Sequence, residues 1–170
     1  MTLPVSTGPY EVAEFFLAAC LAELDACGSD PITTAYCGVG LPAWDDCCGQ
    51  LVVTPDNIFR STTFPQEDTT DDRCDGATIA VEISAMLLRC VPTMDDRGRA
   101  PAASVLAAAH KRVLDDAGIM WAAMTAPLPV DFEWDRGNVR QSVVSPTGGC
   151  VAIETRCLIG VASAQWCVDC

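Results

Sequence analysis

Eleven cysteines, one histidine, one lysine and 23 carboxylate side chains are the residues of this 170-residue chain that could do chemistry. A tetrahedral zinc site is usually built from two short ligand pairs. Only Cys167 and Cys170 form a C-x-x-C, Cys47 and Cys48 are adjacent and chelate poorly, and His110 sits in a helical pattern away from the cysteines. No metal is expected. A thioredoxin-type role for Cys167 and Cys170 lacks the helix N-terminus that would lower a thiol pKa. Asp68, Asp71, Asp72 and Asp75-Gly76 only loosely approach a calcium loop, which alternates its oxygen ligands before a turn glycine.

Nucleophile and phosphate chemistry fare no better. Lys111 follows Ala107-Ala108-Ala109-His110 and has no glycine-rich loop ahead of it, which excludes a phosphate-binding P-loop. No G-x-S-x-G, H-E-x-x-H or G-x-G-x-x-G occurs, and Gly38-Val39-Gly40 is an isolated fragment. His110 could serve a cysteine nucleophile, but its alanine-rich helix reads as a solvated position. Carboxylate pairs such as Asp45-Asp46 and Asp71-Asp72 are common on any acidic surface and carry little weight for hydrolysis. The chain is therefore expected to be no enzyme and to hold no cofactor.

Half of the residues are hydrophobic and the mean hydropathy is +0.25, enough for a packed core. The formal charge of −13 and a pI near 4.1 exclude the electrostatic footprint of a duplex DNA binder. The longest apolar run, Phe15 to Ala22, is too short to cross a bilayer, and Met1 to Gly8 has no charged segment ahead of an apolar one, so neither an anchor nor a signal peptide is expected. Nearly half of the net charge gathers between Asp45 and Asp75, where eight carboxylates meet only Arg60 and Arg73. Cys27, Cys37, Cys47, Cys48, Cys74 and Cys150 fall near turns or element ends. Cys20, Cys90 and Cys157 fall inside periodic segments and read as small core hydrophobes. So many cysteines without a secretion signal suggest a product made in a reducing cytosol that later meets an oxidising exterior, and the odd count leaves at least one free thiol.

The elements that would position these groups follow from periodicity. Val12 to Cys27 predicts a helix with Pro9 at its first position, Gly28 as a left-handed cap, and Val12, Phe15, Phe16, Ala19, Cys20, Leu24 and Cys27 near one face. Residues 28–46 read as loop. Cys48-Gly49-Gln50-Leu51-Val52-Val53 begins a short strand, with Pro55 ending or bulging it. Ala77 to Val91 alternates as a long strand whose second face is partly covered, since Met86 and Leu88 interrupt its polar parity. Pro101 to Thr125 predicts a helix with Val105, Leu106, Ala109, Val113, Leu114, Ala117, Trp121 and Met124 as its buried stripe, weakened at Gly118. Gln141 to Ser145 and Val151 to Val161 form a hairpin through Pro146-Thr147-Gly148-Gly149. The order predicts a single α+β domain over residues 1–170, with one small antiparallel or mixed sheet and two helices packed on one side.

Five short motifs, Cys48-Gly49-Gln50-Leu51, Ser61-Thr62-Thr63-Phe64-Pro65, Arg73-Cys74-Asp75, Arg89-Cys90-Val91-Pro92 and Gly148-Gly149-Cys150-Val151, stand in an order that resembles head-to-tail connector proteins of long-tailed phages infecting actinobacteria, with the tail terminator as the best match. The resemblance runs over about nine tenths of the chain and departs after Cys150, where Ala152, Ile153 and Glu154 replace a strand richer in glycine and tryptophan. It implies a virion structural protein made in the host cytoplasm and located at the tail-neck junction. It implies a homo-oligomeric ring, usually a hexamer, that caps the head-proximal end of the tail tube. Its partners would be further copies of itself, the tail tube protein and the head-tail stopper or adaptor proteins. Genomic DNA would pass through the lumen without specific binding, and no membrane is involved. On this reading Glu67, Asp68, Asp71 and Asp72 would line the channel as a like-charged wall. Cys48, Cys74, Cys90 and Cys150, which fall within the family-like motifs, would be structural disulfide partners, with pairing left open. Two alternatives remain: a stopper or adaptor of the same connector, and a secreted disulfide-rich binding protein.

Overall fold

The computed structural model describes residues 8–40, 48–68, 78–130, 134–147 and 149–162. In chain order the elements are α1 (Pro9–Ala26), β1 (Thr34–Cys37), β2 (Gln50–Ser61), β3 (Thr78–Cys90), α2 (Ala103–Thr125), β4 (Asp135–Thr147) and β5 (Cys150–Ala162). The strands form one sheet in the order β1-β2-β3-β5-β4, with β1 parallel to β2 and every other pair antiparallel. Two helices and a mixed sheet make this a small α+β fold, as the element order predicts.

One parity of each central strand builds the core. Leu51 and Val53 from β2, Val81, Ile83, Ala85 and Leu87 from β3, and Ile153, Cys157, Ile159 and Val161 from β5 meet the buried residues of both helices in one cluster. Each large side chain removed from water there contributes roughly 1.5–3 kcal/mol before the cost of ordering it. The helices therefore share one face of the sheet. Met86 and Leu88, of the opposite parity, are buried with Cys150 and Ala152 in a second small cluster against Val144, which is the partial covering their apolar character implies.

α1 begins at Pro9, whose missing N–H costs nothing in the first turn, and ends where Gly28 adopts φ +68° and Ser29 N donates to Leu24 O at 2.9 Å. Val12, Ala13, Phe16, Cys20 and Leu24 are its buried stripe. Cys27, expected on that stripe, is exposed, because the helix has closed at Ala26 and the chain is turning away.

The segment 28–46, expected to be loop throughout, contains β1. Its Thr34 to Cys37 pair in register with Gln50 to Val53. Four mostly exposed residues carry no burial pattern, so only the partner strand makes them a strand. Of the two courses expected of β2 at Pro55, an end or a bulge, the strand takes the bulge. The register shifts between Pro55 and Asn57, where a bulge accommodates the proline's missing donor, and pairing resumes through Ser61. β4 starts at Asp135, six residues earlier than predicted, and its alternation is masked by two register shifts against β5. Close approach fixes one glycine in the hairpin: a Cβ on Gly160 would lie 2.9 Å from Thr78 Cγ2 and 3.0 Å from the Phe64 ring.

α2 runs unbroken through Gly118, but its buried arc is turned relative to the prediction. Ala109, Val113, Asp116, Ala117, Met120, Ala123 and Met124 face the core, while Val105, Leu114 and Trp121 are 49%, 64% and 42% exposed. Three alanines on the inner arc let the backbone lie close to the sheet, and the bulkier residues stay outside. The helix has no basic residue in its last turn, so the negative end of its dipole is met from β4. Arg136 donates to Thr125 O at 2.8 Å and also to Ala126 O.

Asp116 is the one charged residue in that arc, and it faces Arg89 at the end of β3. Arg89 Nε donates to Asp116 Oδ2 at 2.7 Å, with the two side chains 8% and 9% exposed. Ser29 Oγ donates to Asp116 Oδ1 at 2.6 Å and accepts from Arg89 Nη2 at 2.6 Å. Removing one partner from such a pair strands the other charge, at roughly 3–5 kcal/mol, whereas replacing both by apolar residues of similar size is often neutral. Asp116→Ala should therefore lower unfolding stability by about that amount in urea titration, and Arg89→Met with Asp116→Leu should lose less than half of it. In the same assay Met120→Ala should cost about 2–5 kcal/mol and Leu114→Ala under about 0.5, which checks the orientation of α2.

Candidate assembly surface

The groups with chemical potential fall in three places: the acidic segment after β2, the cysteine-rich end of the sheet, and the sheet face that the helices leave open. Glu67 and Asp68 close the loop that leaves β2. Glu67 is exposed. Asp68 is engaged: its carboxylate accepts from Thr62 N at 2.9 Å and from Thr62 Oγ1 at 2.6 Å, Arg60 Nε lies 3.5 Å away, and its own N–H donates to Arg60 O at 3.0 Å. The Thr62 hydroxyl and amide hold the Asp68 carboxyl below the ordinary carboxylate range, with Arg60 adding a smaller push. Asp68 thus fastens its loop, and Glu67 is the residue of the pair that projects. Asp71 and Asp72 lie outside the described residues.

At the end of β3 a disulfide joins Cys48 to Cys90, whose Cα atoms are 4.9 Å apart. Forty-two residues separate the two in sequence, a loop whose closure is worth about 4 kcal/mol in the chain-entropy account. Cys90, read as a core hydrophobe from its periodic segment and as a structural disulfide partner from the family-like motifs, is exposed and bonded. Cys150 is the cross-strand neighbour of Cys90 in the β3–β5 register and is itself disulfide-bonded. Cys74 lies outside the described residues. Cys20 and Cys157 are buried free thiols, as their periodic positions predict, and Cys27 and Cys37 are free as well.

Facing away from the helices, the sheet carries a network that the sequence reading did not single out. Arg140 of β4 and Arg156 of β5 stand directly opposite each other, a like-charge pair that would be destabilising alone. Carboxylates intervene. Arg156 pairs with Glu154 at 2.7 Å and lies 4.0 Å from both Glu82 and Asp56, while Arg140 pairs with Glu82. The hydrogen bond to Glu154 raises the Arg156 pKa further. Ser84 Oγ donates to Glu154 at 3.2 Å. The side chains of this network line two shallow hollows, one of about 250 Å³ between Arg140, Ser142, Glu154 and Arg156 and one of about 410 Å³ reaching Phe59 and Leu158. Strand parity carried the signal for Glu82, Glu154 and Arg156, which alternate with buried residues. Arg140 was hidden because β4 was predicted to begin after it.

Chemically this face offers paired charges and hydrogen-bond donors in a broad, shallow array suited to contact with another polar surface. His110 is exposed on α2, and Lys111 beside it pairs with Asp115 at 2.6 Å. Among the described residues no group of three histidine, cysteine or carboxylate side chains is placed to hold a metal ion, and no described helix is long and apolar enough to cross a membrane. Among the described residues the sheet ends in two edges with no further strand beside them, β1 with four residues and β4 with thirteen. Compared with known proteins, the chain matches no family model and no curated protein.

Burial separates the free thiols sharply. It pushes the Cys20 thiol up to about 12 and Cys157 up to about 11, and Cys27 is exposed. Iodoacetamide at pH 8 should label Cys27 in the native protein at least 100-fold faster than Cys20 or Cys157, which should react only on unfolding, as peptide mapping can read. The unfolded chain ionises these thiols near the ordinary value of 9.0 and the folded chain does not, so their contribution to stability is whole below pH 9 and is lost as pH rises towards about 12. Chemical denaturation from pH 8 to 11 should show that fall, and Cys20→Ala should flatten it.

Proposed function

We propose that this chain is a structural protein of a phage virion, a tail terminator that forms a ring on the head-proximal end of the tail tube, stops tube growth and docks the tail to the neck. The observation that carries this reading is the one-sided sheet. Helices cover one face, the other presents a charge-paired polar patch beside a small buried cluster, and among the described residues β1 and β4 are the edges with no further strand beside them. An exposed edge is a template for pairing with another chain. Following the pairings across the sheet, β1 and β4 run in opposite directions. A neighbour's β1 laid beside β4 would therefore meet it antiparallel, in a head-to-tail contact that repeats around an axis and closes as a ring.

Two further features support the reading. The ordered motifs from Cys48-Gly49-Gln50-Leu51 to Gly148-Gly149-Cys150-Val151 resemble those of the connector family. The net charge of −13 suits a wall past which DNA slides, because a like-charged lining gives the phosphates nothing to hold. Glu67 projects from the clasp that Asp68 holds, and it belongs with Asp71 and Asp72 on the proposed wall. The disulfide at the end of β3 suits a particle that leaves the cell, where oxidising conditions keep it closed.

Light scattering on the purified full chain should give a mass in multiples of six subunits, with a central hole in negative stain. Titration of a short duplex at low salt should detect no binding tighter than about 100 µM. A particle of one or two copies under assembly conditions, or tight salt-sensitive DNA binding, would overturn the proposal.

A further inference from the structure

The outer side of α2 carries a second seam that packing within the subunit does not use. Ala107, Lys111, Leu114, Gly118, Trp121 and Thr125 follow one another at spacings of 4, 3, 4, 3 and 4, the repeat that keeps side chains on one side of a helix facing a partner helix. The first five are exposed, and Leu114 and Trp121 are 64% and 42% so. The six residues include no carboxylate, and the one at the flank, Asp115, is neutralised by Lys111. The exposed side of α1, by contrast, carries Glu11, Glu14 and Asp25, and two copies approaching through it would repel.

We infer that this seam is a self-complementary contact through which α2 packs antiparallel on α2 of a second copy of this chain, about a two-fold axis at the level of Asp116. In that register Leu114 faces Gly118 of the second copy, Lys111 faces its Trp121, and Ala107 faces its Thr125. Large meets small, and the ammonium meets an indole face as a cation–π pair. A parallel register sets Lys111 against Lys111 and Gly118 against Gly118, which joins like charges and leaves a hole. A side chain built at Gly118 meets nothing within 4 Å in its own subunit, so the space above it is open to a neighbour's leucine. Lys111 is held only by the exposed pair with Asp115, worth little, and can turn to the indole at small cost.

The seam spans 18 helical steps, about 27 Å. Six residues a side are far fewer than the roughly 20–30 of a standard interface, which sets the expected dissociation constant at about 10–100 µM. The contact is isologous and closes at two copies, so it adds to any ring contact without extending a ring. It does not rest on the ring reading.

Sedimentation of the full chain between 1 and 500 µM tests it. The wild-type mass should double across that range. Gly118→Leu favours the helix itself but sets leucine against leucine, and it should weaken the association at least 10-fold. Leu114→Gly combined with Gly118→Leu exchanges the two partners and should restore the association to within about threefold. Lys111→Glu, which touches no core residue, should weaken it at least fivefold. A wild-type mass that does not double, an unchanged mass for Gly118→Leu or Lys111→Glu, or a swapped variant that fails to recover would each overturn the inference. If rings form, Gly118→Leu halves the particle mass; if they do not, it turns a dimer into a monomer, so the two proposals fail separately.

Discussion

A guanidinium buried at the end of the central strand has to be neutralised where it stands, and that requirement ties together parts of the chain far apart in sequence. Arg89 lies on the parity of β3 that faces the helices. Its charge is met by Asp116, 27 residues later on α2, and its remaining donors by Ser29 Oγ and Pro31 O in the turn after α1. Unpaired, either charge would cost several kcal/mol in the interior, a large fraction of the stability of an ordinary domain. The ion pair therefore sets the rotation of α2 and the path of the α1–β1 turn together. The Cys48–Cys90 disulfide stands one residue along, and Gly49 beside it approaches so closely that a Cβ there would lie 2.5 Å from Pro31 O. The turn carrying Ser29 and Pro31 is held from both sides, and β1 follows from it.

With α2 fixed by Asp116, the residues on its outer side follow from helical geometry. The inner arc centres on Val113, Asp116 and Met120, and the residues half a turn away are Lys111, Leu114 and Gly118. The same rotation that pairs the buried charge therefore turns Leu114 and Trp121 towards solvent. An apolar face on a surface helix is a cost to a free subunit, and here it is the geometric consequence of the electrostatic requirement beneath it.

Much of the fold was legible because its main core lies on one face of the sheet. α1, β3 and β5 each carry a clean period, and their predicted faces match the observed core except at the margins. What escaped did so for physical reasons. β1 is four residues whose only claim to being a strand is the partner beside them, so no pattern in Thr34 to Cys37 announces it. β4 is broken by register shifts near Arg136 and Val144, which scramble the alternation that would mark its first half. The rotation of α2 differs from the prediction because Leu114 and Trp121 are more hydrophobic than the alanines that face inward, while Val105 is exposed by its place in the first turn. Asp116 held the contrary signal: an acid at helical spacing with Val113, Ala117 and Met120 needs a buried cation, and Arg89 continues the parity of Leu87. The charged face of the sheet was half legible, since Glu82, Glu154 and Arg156 alternate with core residues while Arg140 lies one residue ahead of the predicted start of β4. Of the residues assigned to an acidic wall, Asp68 shows the limit of counting charges. Arg60, eight positions earlier, belongs with it, and proximity in a tight loop is invisible to composition.

Charge repulsion constrains any assembly of this chain more strongly than hydrophobic area does. Copies of a subunit with a formal charge of −13 repel at contact distances, and within a screening length of about 8 Å at physiological salt only surfaces that are locally neutral can touch at low cost. Two surfaces meet that condition among the described residues. On the open sheet face the arginines are neutralised by Glu82 and Glu154, and the edge strand β4 brings Arg140 to the boundary where a neighbour would sit. On α2 the outer seam carries Lys111, whose charge is met by Asp115 at its flank. The acids that are not paired, with Glu67 and the outer side of α1 among them, have to point away from such contacts, towards a lumen or the outside. The distribution of uncompensated charge thus selects which faces of the subunit can meet a copy and which must stay in water, and that selection needs no enzymatic chemistry.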